Sequence, residues 1–118
     1  MEVIDDKYCF ACGKENPVSL KMDFEKLDTN IVHSEIIIGK NYQGWNGIIH
    51  GGIVATMLDE AAAYLCGHLF GTGCVTAEIN VKYRKPTPTD QKINVFAELK
   101  EKKRNILYIK SFIKFNDE

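Results

Sequence analysis

Gly47-Ile48-Ile49-His50-Gly51-Gly52-Ile53-Val54-Ala55-Thr56-Met57-Leu58-Asp59-Glu60-Ala61 reads as a tight glycine turn running into a helix. Ile53, Val54, Met57, Leu58, Ala61, Ala62, Leu65 and Leu69 recur at three- and four-residue steps, which is a helical period. Ala55, Ala62 and Ala63 widen the apolar surface until it nearly encircles the helix, and a helix apolar all round is expected to be buried. Asp59 and Glu60 stand in its middle, where a carboxylate needs partners or a task. At the helix start, Gly51 and Gly52 follow His50 and leave backbone N–H groups pointing outward, where developing negative charge is stabilised. The stretch therefore offers an oxyanion site at one end and a candidate base nine residues after His50.

Outward from this helix the chain reads as strands. Leu20, Met22 and Phe24 alternate with Lys21, Asp23 and Glu25, the period of a half-buried strand. Asp28-Thr29-Asn30 makes a turn, and Ile31–Ile38 is a second, β-branched strand expected to pair antiparallel with the first. A polar and aromatic loop, Gly39 to Gly47, leads to the helix, roughly His50 to Phe70, which Gly71-Thr72-Gly73 ends. Val75, Ala77, Ile79, Val81 and Tyr83 alternate with Thr76, Glu78, Asn80, Lys82 and Arg84 until Pro86-Thr87-Pro88-Thr89-Asp90 breaks the run. Ile93, Val95, Ala97 and Leu99 form the next strand; after a charged turn, Glu101 to Asn105, Ile106–Phe115 forms the last. One buried helix with about five antiparallel strands predicts an α+β layer in which the sheet curls around the helix.

At 118 residues the chain is expected to be one domain, residues 1–118, with a single core. Its 45% hydrophobic content argues against disorder, and a net charge of −1 gives no reason to expect nucleic acid or an anionic membrane as partner. Asp59 and Glu60 interrupt the longest apolar run, so no membrane span is expected. Met1-Glu2-Val3-Ile4-Asp5-Asp6 shows no basic-then-apolar secretory pattern. The expected compartment is the cytoplasm, where the four cysteines stay reduced.

The run Tyr42-Gln43-Gly44-Trp45-Asn46-Gly47-Ile48-Ile49-His50-Gly51-Gly52 resembles the hot-dog-fold acyl-CoA thioesterases, the phenylacetyl-CoA type among them. So do Leu58-Asp59-Glu60-Ala61, the strand Thr76–Tyr83 with Pro86 after it, and the opening Cys9-Phe10-Ala11-Cys12-Gly13. The resemblance covers nearly the whole chain. It implies an acyl-CoA substrate, hydrolysis to acid and coenzyme A, and a homodimer with two interfacial sites, often paired into a homotetramer. It also implies the roles: the Gly51 N–H on the thioester carbonyl, His50 shaping the turn, Asp59 as general base or nucleophile, and Thr76 as a hydroxyl holding the water or the acid. Many relatives carry Asn or Gln six residues before the histidine, where this chain has Gly44. Gln43 and Asn46 are the nearby amides, and with Gly52 they are candidates for binding substrate. Lys82, Arg84 and Lys85 are candidates for the coenzyme A phosphates, as Lys102, Lys103 and Arg104 could be.

Geometry argues for two copies independently of the family. Gly51 and Asp59 are eight residues apart, roughly 12 Å along a helix, so one helix cannot bring both to one carbonyl. Two helices antiparallel about a twofold axis can.

Plainer readings stand beside these. His50 can be a turn residue, since backbone N–H groups polarise a carbonyl unaided, and Thr76 can simply be exposed. Glu60 points about 100° from Asp59 and reads as structural; His33 and His68 read as ordinary. Cys9 and Cys12 have zinc-knuckle spacing, but no second CxxC or paired histidines complete a tetrahedron, so no metal is expected unless two chains share a site, and no redox cofactor is expected. Cys66 and Cys74 read as small buried filler. No Ser or Cys sits in a nucleophile elbow. Two rival functions are a non-catalytic acyl-CoA-binding module, against which Asp59 speaks, and an enoyl-thioester hydratase, whose histidine and acid share one loop-helix segment in a pattern not found here.

Overall fold

The structure, a computed structural model, describes residues 4–116. The first residues of the stretch read for a secretory signal, Met1–Val3, lie outside the described residues, as do residues 117–118. Four strands, β1 (Glu25–Asp28), β2 (Ile31–Ile37), β3 (Lys92–Lys103) and β4 (Ile106–Lys114), form one antiparallel sheet in the order β1-β2-β3-β4. A 20-residue helix, α1 (Gly51–Phe70), lies across it against β2, β3 and β4. This is a hot-dog arrangement.

Register explains the core. Val32 pairs with Ala97, Ser34 with Val95 and Ile36 with Ile93, so alternate residues of β2 and β3 turn the same face to the helix. Val32, Ile93, Val95 and Ala97 are fully buried there. From α1 come Val54, Met57, Ala61 and Leu65, spaced as one helical stripe. The β3–β4 hairpin turns at Arg104-Asn105, with Arg104 in the left-handed region at φ 55°. The charges read as a turn from Glu101 onward belong instead to β3, which runs to Lys103 with a bulge between Leu99 and Glu101.

Three expectations are corrected. First, the opening strand is displaced. Leu20 and Met22 are buried and Phe24 half-buried, as the alternation requires, yet the ladder with β2 begins only at Glu25. The N–H groups of Leu20 and Met22 bond instead to the carbonyls of Phe10 and Ala11, so this stretch holds the N-terminal loop.

Second, Val75–Tyr83 joins no ladder among the described residues, which leaves four strands and not about five. Val75, Ile79 and Tyr83 are 65%, 49% and 57% exposed. A period-two pattern specifies an extended chain with one apolar face, but a ladder also needs a neighbouring edge, and none among the described residues meets it.

Third, α1 is buried along one stripe only. Residues two apart on a helix differ by about 200°, so Asp59 points away from Met57 and Ala61. Ala55, Thr56, Ala62 and Ala63 share its side and are only half-buried. The helix is as long and apolar as a membrane span, with mean hydropathy 1.2, although two carboxylates sit in its middle. That apolarity serves the sheet on one side and leaves a half-covered face on the other.

Cys66 is buried as read, but Cys74 is not, and neither is a free thiol. Cys74 is exposed, and the two are paired as a disulfide with Cα atoms 6.4 Å apart. The turn after α1, with Gly71 at φ 68°, brings the chain back beside the last helical turn.

Candidate active site

The N-terminus of α1 is assembled from three short segments. His50 is the N-cap: its Nδ1 accepts from the Gly52 N–H at 2.9 Å, so that nitrogen carries no proton in this arrangement. The Gly52 N–H is thereby occupied. Among the described residues the Gly51 N–H has no hydrogen-bond partner, as befits the first turn of a helix. Gly44 packs beneath the turn, where a Cβ would stand 3.3 Å from His50 Cα. A side chain at this position would ask the histidine backbone to shift by a few tenths of an ångström. Gln43 does not reach toward the helix; its Oε1 accepts from the Gly47 N–H at 3.2 Å and braces the turn.

The segment after the exposed stretch is stitched to the same turn. Ile49 N–H bonds to Thr87 O at 2.8 Å and Thr89 N–H to Gly47 O at 3.0 Å. The Tyr83 hydroxyl donates to Gly51 O at 2.7 Å. These bonds set Arg84 and Lys85 on one wall of a cleft of about 720 Å³, with His50 and Gly51 on the other and Trp45 at the rim. Trp45 is 82% exposed, and the sequence reading gave it no role. A large apolar ring left in water beside a glycine turn is the signal that could have marked it. Lys82 and the exposed Asn46 do not line the cleft, nor does Gly52.

Asp59 lies two turns further along α1 and outside this cleft. The Thr76 hydroxyl donates to Asp59 Oδ1 at 2.5 Å, so the exposed stretch delivers its hydroxyl to the helix carboxylate. Within one chain, then, the structure joins His50, Gly51, Arg84 and Lys85 in one place and Asp59 with Thr76 in another.

Glu60, read as structural, has closer company. Its Oε1 is 3.7 Å from Cys9 Sγ, and ligand atoms of Cys9, Cys12 and Glu60 all lie within 4.8 Å of one another. Burial pushes the Glu60 carboxyl above its usual range, the thiols of Cys12 and Cys9 pull it partly back by donating to it, and the charges of Asp59 and Asp5 push it up again. Burial, followed by Glu60 and then Cys9, holds the Cys12 thiol well above the ordinary thiol range. His33 is a strand residue as read, bridging Glu25 at 2.9 Å and Asn94 at 2.8 Å against the ring of Phe96.

A sheet laid over one long helix is the fold of the hot-dog thioesterases. The family model described as Thioesterase superfamily matches residues 46–114, and the chain belongs to that family. Among curated relatives, the protein named acyl-coenzyme A thioesterase THEM4 of Rattus norvegicus is 35% identical over 81 residues, covering 68% of this chain and 34% of its own length. Its namesake in Xenopus laevis is 41% identical over 54 residues, 42% of this chain and 22% of its own. The chain thus spans about a third or less of the length of these relatives. A crystal structure of a thioesterase superfamily protein superposes with TM-score 0.84 at 23% identity, covering 94% of this chain and 54% of that one. The PaaI protein of the E. coli phenylacetic acid degradation operon gives TM-score 0.71 at 17% identity, covering 80% and 71%. A hypothetical thioesterase from Streptococcus pneumoniae, solved with coenzyme A, gives 0.72 at 20%, covering 79% and 74%. These structural likenesses are likenesses of fold.

Proposed function

We propose that the chain hydrolyses an acyl-CoA thioester to free acid and coenzyme A, at a site built by two copies of itself. One observation carries this reading. The unpartnered Gly51 N–H and the Thr76-held Asp59 sit on the same helix, about 12 Å apart along its axis. A carbonyl bound at Gly51 is out of reach of its own chain's Asp59. An antiparallel second helix packed on the half-covered face of α1 would bring the partner's Asp59 to it.

In this mechanism the thioester carbonyl oxygen accepts from Gly51 N–H, which faces the charge that develops in the tetrahedral intermediate. Asp59 from the other copy takes a proton from water as the water attacks the carbonyl carbon, or attacks that carbon itself. The C–S bond then breaks and the thiolate leaves. Thr76 fixes the carboxylate rotamer by donating to one oxygen, leaving the other for the water. His50 holds the turn by accepting from Gly52 N–H, so its part is positional. Arg84 and Lys85 stand where the phosphates of coenzyme A would pass, and Trp45 offers a flat surface beside them. The THEM4 relatives, named as acyl-coenzyme A thioesterases, and the relative solved with coenzyme A support this choice of substrate.

The dimer would also answer the sheet problem. Val75–Tyr83 alternates in sequence, lies exposed and joins no ladder among the described residues, and an antiparallel copy of itself would supply the neighbouring edge it lacks. The test is thiol release over a panel of acyl-CoAs differing in length and aromaticity, with the oligomeric state measured alongside. Turnover of at least one thioester by a dimer or larger assembly is expected. Flat baselines with every thioester, from folded protein that still binds coenzyme A, would favour the non-catalytic binding module.

A further inference from the structure

The sequence offered Cys9 and Cys12 without partners to complete a metal site; the fold supplies one from 48 residues away. The turn Cys9-Phe10-Ala11-Cys12-Gly13 is closed by the Gly13 N–H on Cys9 O at 2.8 Å. A Cβ on Gly13 would stand 2.5 Å from both the N and the O of Cys9, so only glycine permits a turn this tight. The Ala11 N–H donates to Cys9 Sγ at 3.3 Å. That contact fixes the direction in which the Cys9 sulfur points. Both sulfurs lie beside the Glu60 carboxylate on α1, and all three side chains are half-buried.

We propose that Cys9, Cys12 and Glu60 bind one borderline-soft divalent cation, zinc by ligand chemistry, which clamps the N-terminal loop to α1. Two thiolates and a carboxylate are a zinc-type donor set. With Zn–S of about 2.3 Å and Zn–O of about 2.0 Å, a tetrahedral S···O edge is about 3.5 Å. The Cys9 Sγ–Glu60 Oε1 separation of 3.7 Å is already close to that edge. Solvent would supply the fourth ligand. Binding releases the two thiol protons, and the carboxyl proton where Glu60 holds one, to water; no oxidation is involved. The clamp would fall on the residue next to Asp59, so the ion would be structural and would fix the helical turn that carries the candidate base.

The test needs no substrate, so it stands or falls separately from thioester hydrolysis. Protein purified under reductant should contain about one zinc per chain by elemental analysis. Chelator-treated protein titrated with cobalt should develop a thiolate-to-cobalt charge-transfer band, and added zinc should raise its melting temperature. Cys12→Ser should lose the band. Glu60→Gln should weaken zinc by at least about tenfold, since even groups that only support ligands are worth 10–100-fold. A Cys66→Ala/Cys74→Ala double variant should keep both band and stoichiometry. If Cys12→Ser fails to fold, Cys9→Ser and Glu60→Gln carry the same comparison. Reduced, folded wild type that gives no cobalt–thiolate band and no zinc-dependent rise in melting temperature would overturn the proposal. So would a band that survives loss of both Cys9 and Cys12.

Discussion

The two halves of α1 are built differently. Its first turn is a backbone site: the unpartnered Gly51 N–H, an imidazole that caps the helix, and a cleft lined by Arg84 and Lys85. Its middle is a side-chain site: Asp59 held by Thr76, and Glu60 against two thiols. In the proposed mechanism the first half holds the thioester carbonyl and the coenzyme A phosphates, and the second supplies the base. Neither suffices alone, and a straight helix keeps them about 12 Å apart. Distance along one rigid element thus becomes an argument for a second copy.

The difference between the halves can be broken from either side. Asp59→Asn removes the base and keeps the shape, so kcat should fall by about a hundredfold or more with KM nearly unchanged; steady-state kinetics on folded protein checks this. Arg84→Ala acts on the other half. A charge-assisted contact to phosphate is worth about 1.5–3 kcal/mol, so KM should rise at least about tenfold with kcat preserved, and the effect should shrink with salt. Thr76→Ala only loosens the carboxylate, which should cost about a kcal/mol or two in kcat/KM.

The smallest expected effect concerns stability. In chelator-treated protein Glu60 holds its proton to higher pH than a free glutamate, chiefly through burial. The folded state then binds that proton more tightly than the unfolded one. The associated stability is fully present below the ordinary carboxylate range and is lost as pH rises through the folded value. Glu60→Gln should therefore flatten the fall in melting temperature from acidic to neutral pH, measured by thermal denaturation.

Legibility in the sequence followed how local the deciding physics is. The period of Val54, Met57, Ala61 and Leu65, the glycine after Phe70 and the alternation through Ile93, Val95 and Ala97 are local, and they placed the helix and the sheet it packs on. The alternation at Leu20–Phe24 and Val75–Tyr83 was equally clear, yet neither stretch lies in the ladder. At Leu20–Phe24 alternation still told which side chains are buried, but at Val75–Tyr83 the apolar set is exposed too, because burial and pairing both depend on a neighbouring edge, a property of the assembled fold. The same limit hid the Cys9–Cys12–Glu60 group, because a carboxylate 48 residues on has no spacing signature. The glycine turn and the mid-helix carboxylate marked Gly51 and Asp59 as candidates in the sequence itself, whereas Thr76 entered only through the family resemblance. Periodicity alone could not say which face of an all-apolar helix is left half-covered.

The central claim is that Gly51 of one copy works with Asp59 of another, and subunit mixing tests it most directly. Gly51→Pro removes the oxyanion N–H at the first helical position, where proline is tolerated. His50, at φ −54° and ψ 137°, already has the extended backbone that a following proline requires. Each variant alone should be an inactive dimer. Unfolded and refolded together, Gly51→Pro and Asp59→Asn should form about half mixed dimers, each with one intact site and one doubly defective. Thiol release should then return to roughly a quarter of wild type at equal total protein. A mixture that exchanges subunits yet stays as inactive as its components would contradict the shared site and require both groups to act within one chain.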